Sequence, residues 1–325
     1  MAYLALCYHY LRPVKSQDPF PRILGTSMEE FHRHVDCLAS RYAMISPREA
    51  WENSYQDLPA SDDLGVLLTF DDGLAEHYDV AHALAARGIH AWFFIPTCII
   101  QDQLPANPTI IHFAIAKYGI QRFLDLYHAA IAAQGSAAET SAIRFHPGRD
   151  DPWETIRRIK TQVNYEWQPV QARAVLLDIF QRSLLRDDPD VLSKMHLSAH
   201  QIGEMIRLGH SIGVHSHSHV SIAATTLDQD QFSREVVAPQ RYLEHQFGIA
   251  VKALSYPFGD RQDCLSWEAL LQRTHLFDLA FTVEPIVNTH ETSPFELGRY
   301  MPMGHETAEI LLTNVQRMSQ PSIAS

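Results

Sequence analysis

Two stretches of this sequence gather side chains able to do chemistry. In VLLTFDDG, Val66 to Gly73, an apolar run ends abruptly in two carboxylates, Asp71 and Asp72. Two adjacent ionised carboxylates are costly unless a cation shares them or one is protonated, so the pair invites a metal. Asp-Asp-Gly is also ordinary turn chemistry after a strand. In GVHSHSHV, Gly213 to Val220, His215, His217 and His219 alternate directly after a second apolar run, and neutral imidazole is a common ligand of zinc-like ions. If the chain turns helically there, His215 and His219 share a face about 5–6 Å apart and His217 points away. If it stays extended, those two lie roughly 13 Å apart, too far for one ion, and the pair becomes His217 with one neighbour. One carboxylate and two imidazoles make a facial triad with open positions, suited to a water and a substrate carbonyl. A third stretch, LSYPFGD from Leu254 to Asp260, runs into a Pro and Gly turn. Its backbone N–H groups suit an oxyanion, although a plain chain reversal uses the same residues.

The elements that must position these residues alternate. Tyr3 to Tyr8, closed by Arg12-Pro13, and Val66 to Phe70 read as strands buried on both faces. Ser27 and Glu30 have capping-box spacing ahead of Phe31, Val35 and Leu38, which recur at helical spacing. A short Tyr42 to Ile45 segment and a helix opened by Pro47 and running through Trp51 follow. Tyr78 to Ala86 is a predicted helix stopped by Arg87-Gly88, and His90 to Ile95 a strand. Further along come a helix over Ser198 to Leu208, a strand over Ser211 to Val214 and a long helix over Gln229 to Phe247. A strand over Val251 to Tyr256, a helix over Ser266 to Arg273 and a strand over Leu279 to Val283 complete the series. From about Gln101 to His196, helix formers dominate, including the Ala-rich His128 to Ala142, with breaks at Pro105, Pro108, Pro147, Pro152 and Pro169. This reads as a helical insertion. The βαβα succession predicts an α/β protein with a mostly parallel sheet, open or closed into a barrel, and the motifs fall at carboxyl strand ends, where such folds build their sites.

With 325 residues, 46% of them apolar, the chain can bury a large core, and only Gln320 to Ser325 reads as a loose tail. Lys and Arg total 26 against 38 Asp and Glu, a formal charge of -12 that disfavours nucleic acid and anionic lipid as partners. Cys7, Cys37, Cys98 and Cys264 show no CxxC spacing and read as buried thiols in a reducing compartment. The start MAYLALCYHYLRP lacks a basic leader and a cleavage pattern, and no window reaches the ~18 apolar residues of a membrane span. A cytoplasmic protein without a transmembrane segment is expected.

The three motif segments, in this order and at strand ends, resemble the polysaccharide deacetylase family, also called the NodB-homology or carbohydrate esterase family 4 group. TFDDG and HSxxH are its most specific strings; LCYHY, GIHAWFFIPT and LSAHQIGEMIRLGHSIGVHSHSH are similar to its usual phrasing. The likeness covers roughly residues 1–100 and 197–300, and the insertion is less typical. The resemblance implies a distorted (β/α)7-type barrel, one catalytic domain over residues 1–325 with its helical insertion at about 101–196. It implies a hydrolase that removes an N-acyl, usually N-acetyl, group from an amino sugar with a divalent metal: zinc, with cobalt, nickel or manganese as alternatives. By the same resemblance Asp72, His215 and His219 hold the metal, Asp71 is the catalytic base, and the Phe258 backbone N–H binds the oxyanion. The histidine pairing is thereby settled on 215 with 219. His9, His217, Tyr256 and Arg299 are expected to touch or support substrate. Two departures stand out. The arginine that often opens the third motif and orients the catalytic aspartate is replaced by Ser255, with Arg299 in FELGRYMP as the substitute. The late leucine-x-histidine motif that supplies the general acid is not evident, which leaves His290 and His305 by position alone. A non-sugar amide hydrolase of the same fold and a catalytically silent glycan-binding protein are the competing expectations.

Overall fold

The computed structural model describes residues 2–54, 64–134, 143–222, 229–264 and 268–319. Its strands are β1 (Tyr3–Tyr8), β2 (Leu11–Arg12), β3 (Thr26–Ser27), β4 (Ala43–Met44), β5 (Gly65–Phe70), β6 (Trp92–Ile95), β7 (Ser211–Val214), β8 (Ala253–Ser255), β9 (Leu279–Phe281) and β10 (Arg299–Tyr300). Helices α1 (Met28–Ala39), α2 (Pro47–Asn53), α3 (His77–Ala85) and α4 (Cys98–Gln101) follow the early strands. The insertion holds α5 (Asn107–Tyr118), α6 (Ile120–Ala133), α7 (Pro152–Thr161), α8 (Pro169–Phe180) and α9 (Val191–Met195). After it come α10 (Ala199–Arg207), α11 (Gln229–Phe232), α12 (Ala238–Phe247), α13 (Arg261–Cys264), α14 (Glu268–Thr274) and α15 (Ala308–Ser319).

Seven strands run β10-β1-β5-β6-β7-β8-β9, with β4 paired to β5 off this path and every pairing parallel. A bridge between Phe281 and Leu297, just ahead of β10, brings the two ends of the sheet together. The expected (β/α)7-type barrel is what forms. All six residues of β1 and all six of β5 are buried, the condition for strands covered on both faces.

Strand periodicity then decides which side chains reach the interior. Ala5, Leu67, Trp92, Phe94, Ala253, Leu279, Phe281 and Leu297 pack together inside the barrel. Leu4, Leu6, Val66, Leu68, Phe93, Ile95, Val214 and Leu254 face outward, onto Phe31, Val35, Leu38, Leu84, Ile202 and Leu243 of the helices. Counting in twos along the inward parity leads from Ala5 to Cys7, from Leu67 through Thr69 to Asp71, from Ala253 to Ser255 and from Leu297 to Arg299. A polar layer therefore sits on the apolar barrel floor at the carboxyl ends of the strands. Gly213 has the same parity, and a Cβ there would stand 2.4 Å from the Phe94 ring and 2.9 Å from the Ala253 carbonyl, so the bulk of Phe94 requires glycine opposite it.

Several boundaries differ from expectation. Ser27 accepts the Glu30 N–H, but Glu30 does not complete a capping box; its carboxylate instead accepts the Ala308 N–H at the start of α15. The long helix after residue 228 is interrupted by a π turn at Ser233–Val237. The strands expected over 90–95, 251–256 and 279–283 are shorter at their ends. Residues 135–142 of the Ala-rich stretch, Ser266 and the tail 320–325 lie outside the described residues. The insertion has its own core, in which Phe113, Phe123, Tyr127, Trp167, Leu176 and Phe180 pack. No helix among the described residues is long and apolar enough to cross a membrane.

Candidate metal centre

Asp71 follows β5 and donates its backbone N–H to the Tyr8 carbonyl, which fixes its side chain over the barrel interior. Asp72, with φ 74°, and Gly73, with φ 56°, then reverse the chain. Left-handed backbone is strained for a side-chain-bearing residue, and such strain gathers where function requires it. Asp72, His219 (φ 62°) and Phe258 (φ 65°) all line one cavity, and Ser216 (φ 55°) shapes the histidine loop.

That loop is neither helical nor extended. Ser216 Oγ accepts the His219 N–H at 2.9 Å, and the curl brings the His215 and His219 rings to 4.6 Å, nearly perpendicular. The expected pair thus meets through a tight turn rather than a helical one. His217 does not join them: its ring lies 2.9 Å from Thr97 Oγ1 and 2.8 Å from Asp102, on the outer side of the loop. Its expected role at the substrate site is corrected accordingly.

Asp72, His215 and His219 offer ligand atoms that all lie within 4.8 Å of one another, and all three residues are buried. Asp72 Oδ1 is 3.5 Å from His215 Nε2 and 3.2 Å from His219 Nε2. Asp72 Oδ1 and His215 Nε2 are buried without a hydrogen-bond partner. Unsatisfied buried polar atoms are costly, and their convergence fits a cation. His215 donates Nδ1–H to the Ser255 carbonyl at 2.9 Å, so Nε2 of the neutral ring is left as the electron-pair donor. Burial pushes the Asp72 carboxyl up, but His215 and His219 outweigh it and hold it well below its ordinary range. Burial likewise works against charge on His215, yet Asp71 and Asp72 draw its pKa upward, whereas burial and then His215 push His219 down. The buried carboxylates thus favour positive charge at this spot, which a cation held by the three side chains would supply. A second group, Cys7, His9 and Asp71, is equally close. It makes a poor ligand set, because Arg299 occupies both Asp71 oxygens and burial raises the Cys7 thiol well above its usual range.

Burial also pushes Asp71 up, and Arg299 overrides it, holding the carboxyl below its ordinary range. Asp71 Oδ2 further accepts from Ser255 Oγ at 3.0 Å and Cys7 Sγ at 3.5 Å. The cavity above has a volume of 390 Å³, within the usual range of small-molecule sites. His9 and Tyr256 line it, although the Tyr256 hydroxyl donates to the Phe295 carbonyl. The Phe258 ring packs edge-on against His219 at 4.7 Å. The insertion supplies a wall absent from the sequence-based expectation: His112 from α5, Arg157 and Lys160 from α7, and Tyr165 beyond it. Nothing in their local sequence marks them, since it is the docking of the helices that turns them to the site. His290 and His305 are exposed and do not line the cavity.

The sequence model described as polysaccharide deacetylase matches residues 182–272, a segment that contains both histidine ligand candidates and the turn at Phe258. The comparison with curated proteins returns no match. Among solved structures, the Streptococcus pyogenes deacetylase PplD, in complex with acetate, superposes with a TM-score of 0.57 over 99% of each chain at 16% identity. IcaB from Ammonifex degensii aligns over 97% of each chain with a TM-score of 0.55 and 18% identity. A de-N-acetylase from Aggregatibacter actinomycetemcomitans gives 0.52 over 97% of this chain and 100% of its own at 13% identity. At these identities the likeness is one of fold. Together with the matched segment, which spans residues 182–272 only, it agrees with the resemblance to polysaccharide deacetylases read from the sequence.

Proposed function

We propose that this protein is a divalent-metal-dependent N-deacetylase of amino sugars, with zinc as its metal. The convergence of Asp72, His215 and His219, buried with unsatisfied atoms beside the Arg299-held Asp71, carries this reading. A carboxylate with two imidazoles suits zinc, which when bound would polarise the amide carbonyl and lower the pKa of water. Asp71, kept ionised by Arg299, accepts a proton from the attacking water. Its low proton affinity disfavours keeping that proton, which passes to the departing nitrogen as the carbon–nitrogen bond breaks. Acetate and a free amine result, the water oxygen ending in the acetate. The Phe258 N–H makes no hydrogen bond to the described residues and is free to donate to the carbonyl oxygen as charge gathers there. The test is an Asp71→Asn variant, expected to take up one zinc per chain while acetate release from N-acetylglucosamine oligomers disappears. Near-normal turnover in that variant would remove Asp71 from its role. Release from simple N-acetylamines but from no sugar would turn the reading to a non-sugar amide hydrolase.

A further inference from the structure

Lys160, in the last turn of α7, lines the same cavity as Asp71, Asp72, His215 and His219. It is partly buried, and among the described residues its ammonium has no ion pair or hydrogen bond. Other cations drawn into this protein are differently placed. Arg12 is paired with Asp18 and Glu76, Lys252 with Asp278, and Arg173 donates to the Pro105 carbonyl and Asn107. Arg157, one turn before Lys160, also lines the cavity; its Glu154 partner lies on the exposed side, at 2.6 Å, where such pairs are weak and readily exchanged.

The charges of the site leave Lys160 without a counter-ion. Arg299 neutralises Asp71 through two hydrogen bonds. A divalent ion held by Asp72 and two neutral imidazoles carries a residual positive charge, so the loaded site offers no free anion to Lys160. Withdrawing an ammonium from water without a partner is unfavourable, and burial already pulls the Lys160 pKa down, opposed by Asp72. The chain as a whole is strongly acidic at -12, so two cations on one wall of this cavity run against its overall charge. Lys160 and Arg157 come from the insertion, not from the strand ends that build the metal centre.

We propose that Lys160, with Arg157 at the rim, binds an anionic substituent of the substrate, a phosphate or carboxylate carried by the N-acylated amino sugar. The inference rests on the deacetylase reading and narrows its substrate class. Phosphate and carboxylate share the chemistry that an ammonium recognises, and an adjacent guanidinium strengthens either contact.

The experiment uses the zinc-loaded Asp71→Asn protein, so that ligands are bound rather than consumed. Calorimetry compares N-acetylglucosamine 1-phosphate, N-acetylglucosamine 6-phosphate and N-acetylmuramic acid with the uncharged methyl N-acetylglucosaminide. At least one anionic compound is expected to bind about tenfold more tightly than the neutral one. Adding Lys160→Met should abolish that advantage without changing the neutral compound's Kd or the zinc content, and adding Lys160→Arg should keep most of it. Equal binding of charged and neutral compounds would overturn the proposal. So would a Lys160→Met change, made in the otherwise native chain, that lowers kcat equally for charged and neutral substrates, since it would mark Lys160 as a proton donor. Charge-selective binding without amine release by the native enzyme from any compound would instead sink the deacetylase reading and leave the anion site standing. Equal kcat/KM for charged and neutral sugars would do the reverse.

Discussion

Arg299 grips Asp71 with two parallel hydrogen bonds, Nη1 to Oδ1 and Nη2 to Oδ2, each 2.8 Å long. The remaining guanidinium protons go to Thr69 Oγ1, Ser255 Oγ and the Thr282 carbonyl, so all five donors are used. The Phe94 and Phe281 rings, 5.6 Å apart, lie together on one side of it, their centroids 5.6 and 5.9 Å from the guanidinium carbon. Buried and fully satisfied, the pair holds Asp71 ionised and fixed in direction. Removing one partner strands a buried charge. Arg299→Met should lower unfolding stability by about 3–5 kcal/mol in urea titration. Arg299→Lys, which keeps the charge and loses the fork, should fold better than the Met variant yet turn over on the order of 10²-fold more slowly, as expected when a reacting group is misplaced. A lysine variant with unchanged kcat would show that the fork is not needed to aim Asp71.

Much of this site was legible because local signals and global placement agree. Tyr3 to Tyr8 and Ser211 to Val214 form strands with the expected bounds, since uninterrupted apolar runs of that length suit a covered parallel sheet. Once β5 is a strand, the carboxylates must stand at its carboxyl end. Arg299 is expected beside Asp71 only through the family resemblance, and nothing local announces the contact: it joins residues 228 apart in sequence, and β10 is only two residues long, too short for any periodic signal. The curl at Ser216 and His219 was equally hidden, because neither left-handed position carries the glycine that normally announces one. Lys160 belongs to an amphipathic helix whose docking, not its pattern, turns it to the metal centre.

Zinc should stabilise the metal-free protein by mass action, by about 2.7 kcal/mol at a concentration one hundred times its Kd. Asp72→Asn and His219→Ala should lose that gain while keeping the fold, since the apolar clusters inside and outside the barrel do not include these residues. Thermal melts with and without zinc measure the difference. An equal zinc-induced rise in Asp72→Asn would exclude Asp72 as a ligand.

The histidine loop is held from behind by Glu235, which accepts the His217 and Ser218 N–H groups at 3.2 and 3.0 Å and the Ser218 hydroxyl at 3.0 Å. Glu235 lies in the π turn that breaks the long helix, and π turns often serve functional sites. Glu235→Gln should weaken zinc affinity about 10–100-fold by loosening the loop that carries both imidazoles. His217→Ala should leave zinc affinity nearly unchanged, because its ring faces Thr97 and Asp102. Competition with a chelating dye reads both, and a His217→Ala loss exceeding that of Glu235→Gln would reverse the assignment.

Away from the metal centre, His210 ties β6 to α3: its Nδ1 accepts the Ala91 N–H at 3.2 Å and its Nε2–H donates to the Ala81 carbonyl at 2.8 Å. Accepting through Nδ1 while donating through Nε2–H requires the neutral ring, and burial lowers the pKa to about 4. An unfolded histidine titrates near 6.5, so between about pH 6.5 and 4 the unfolded chain binds the extra proton and the folded one does not. Stability is thus fully present above pH 6.5 and is lost progressively as pH falls toward 4. His210→Phe removes this proton uptake while leaving two backbone groups without a partner, at about 1–3 kcal/mol. It should therefore lower stability at pH 8 yet flatten the fall between pH 6.5 and 4. Urea unfolding at half-unit pH steps separates the two effects, and a variant whose slope matches the parent protein would show that His210 is charged in the folded state.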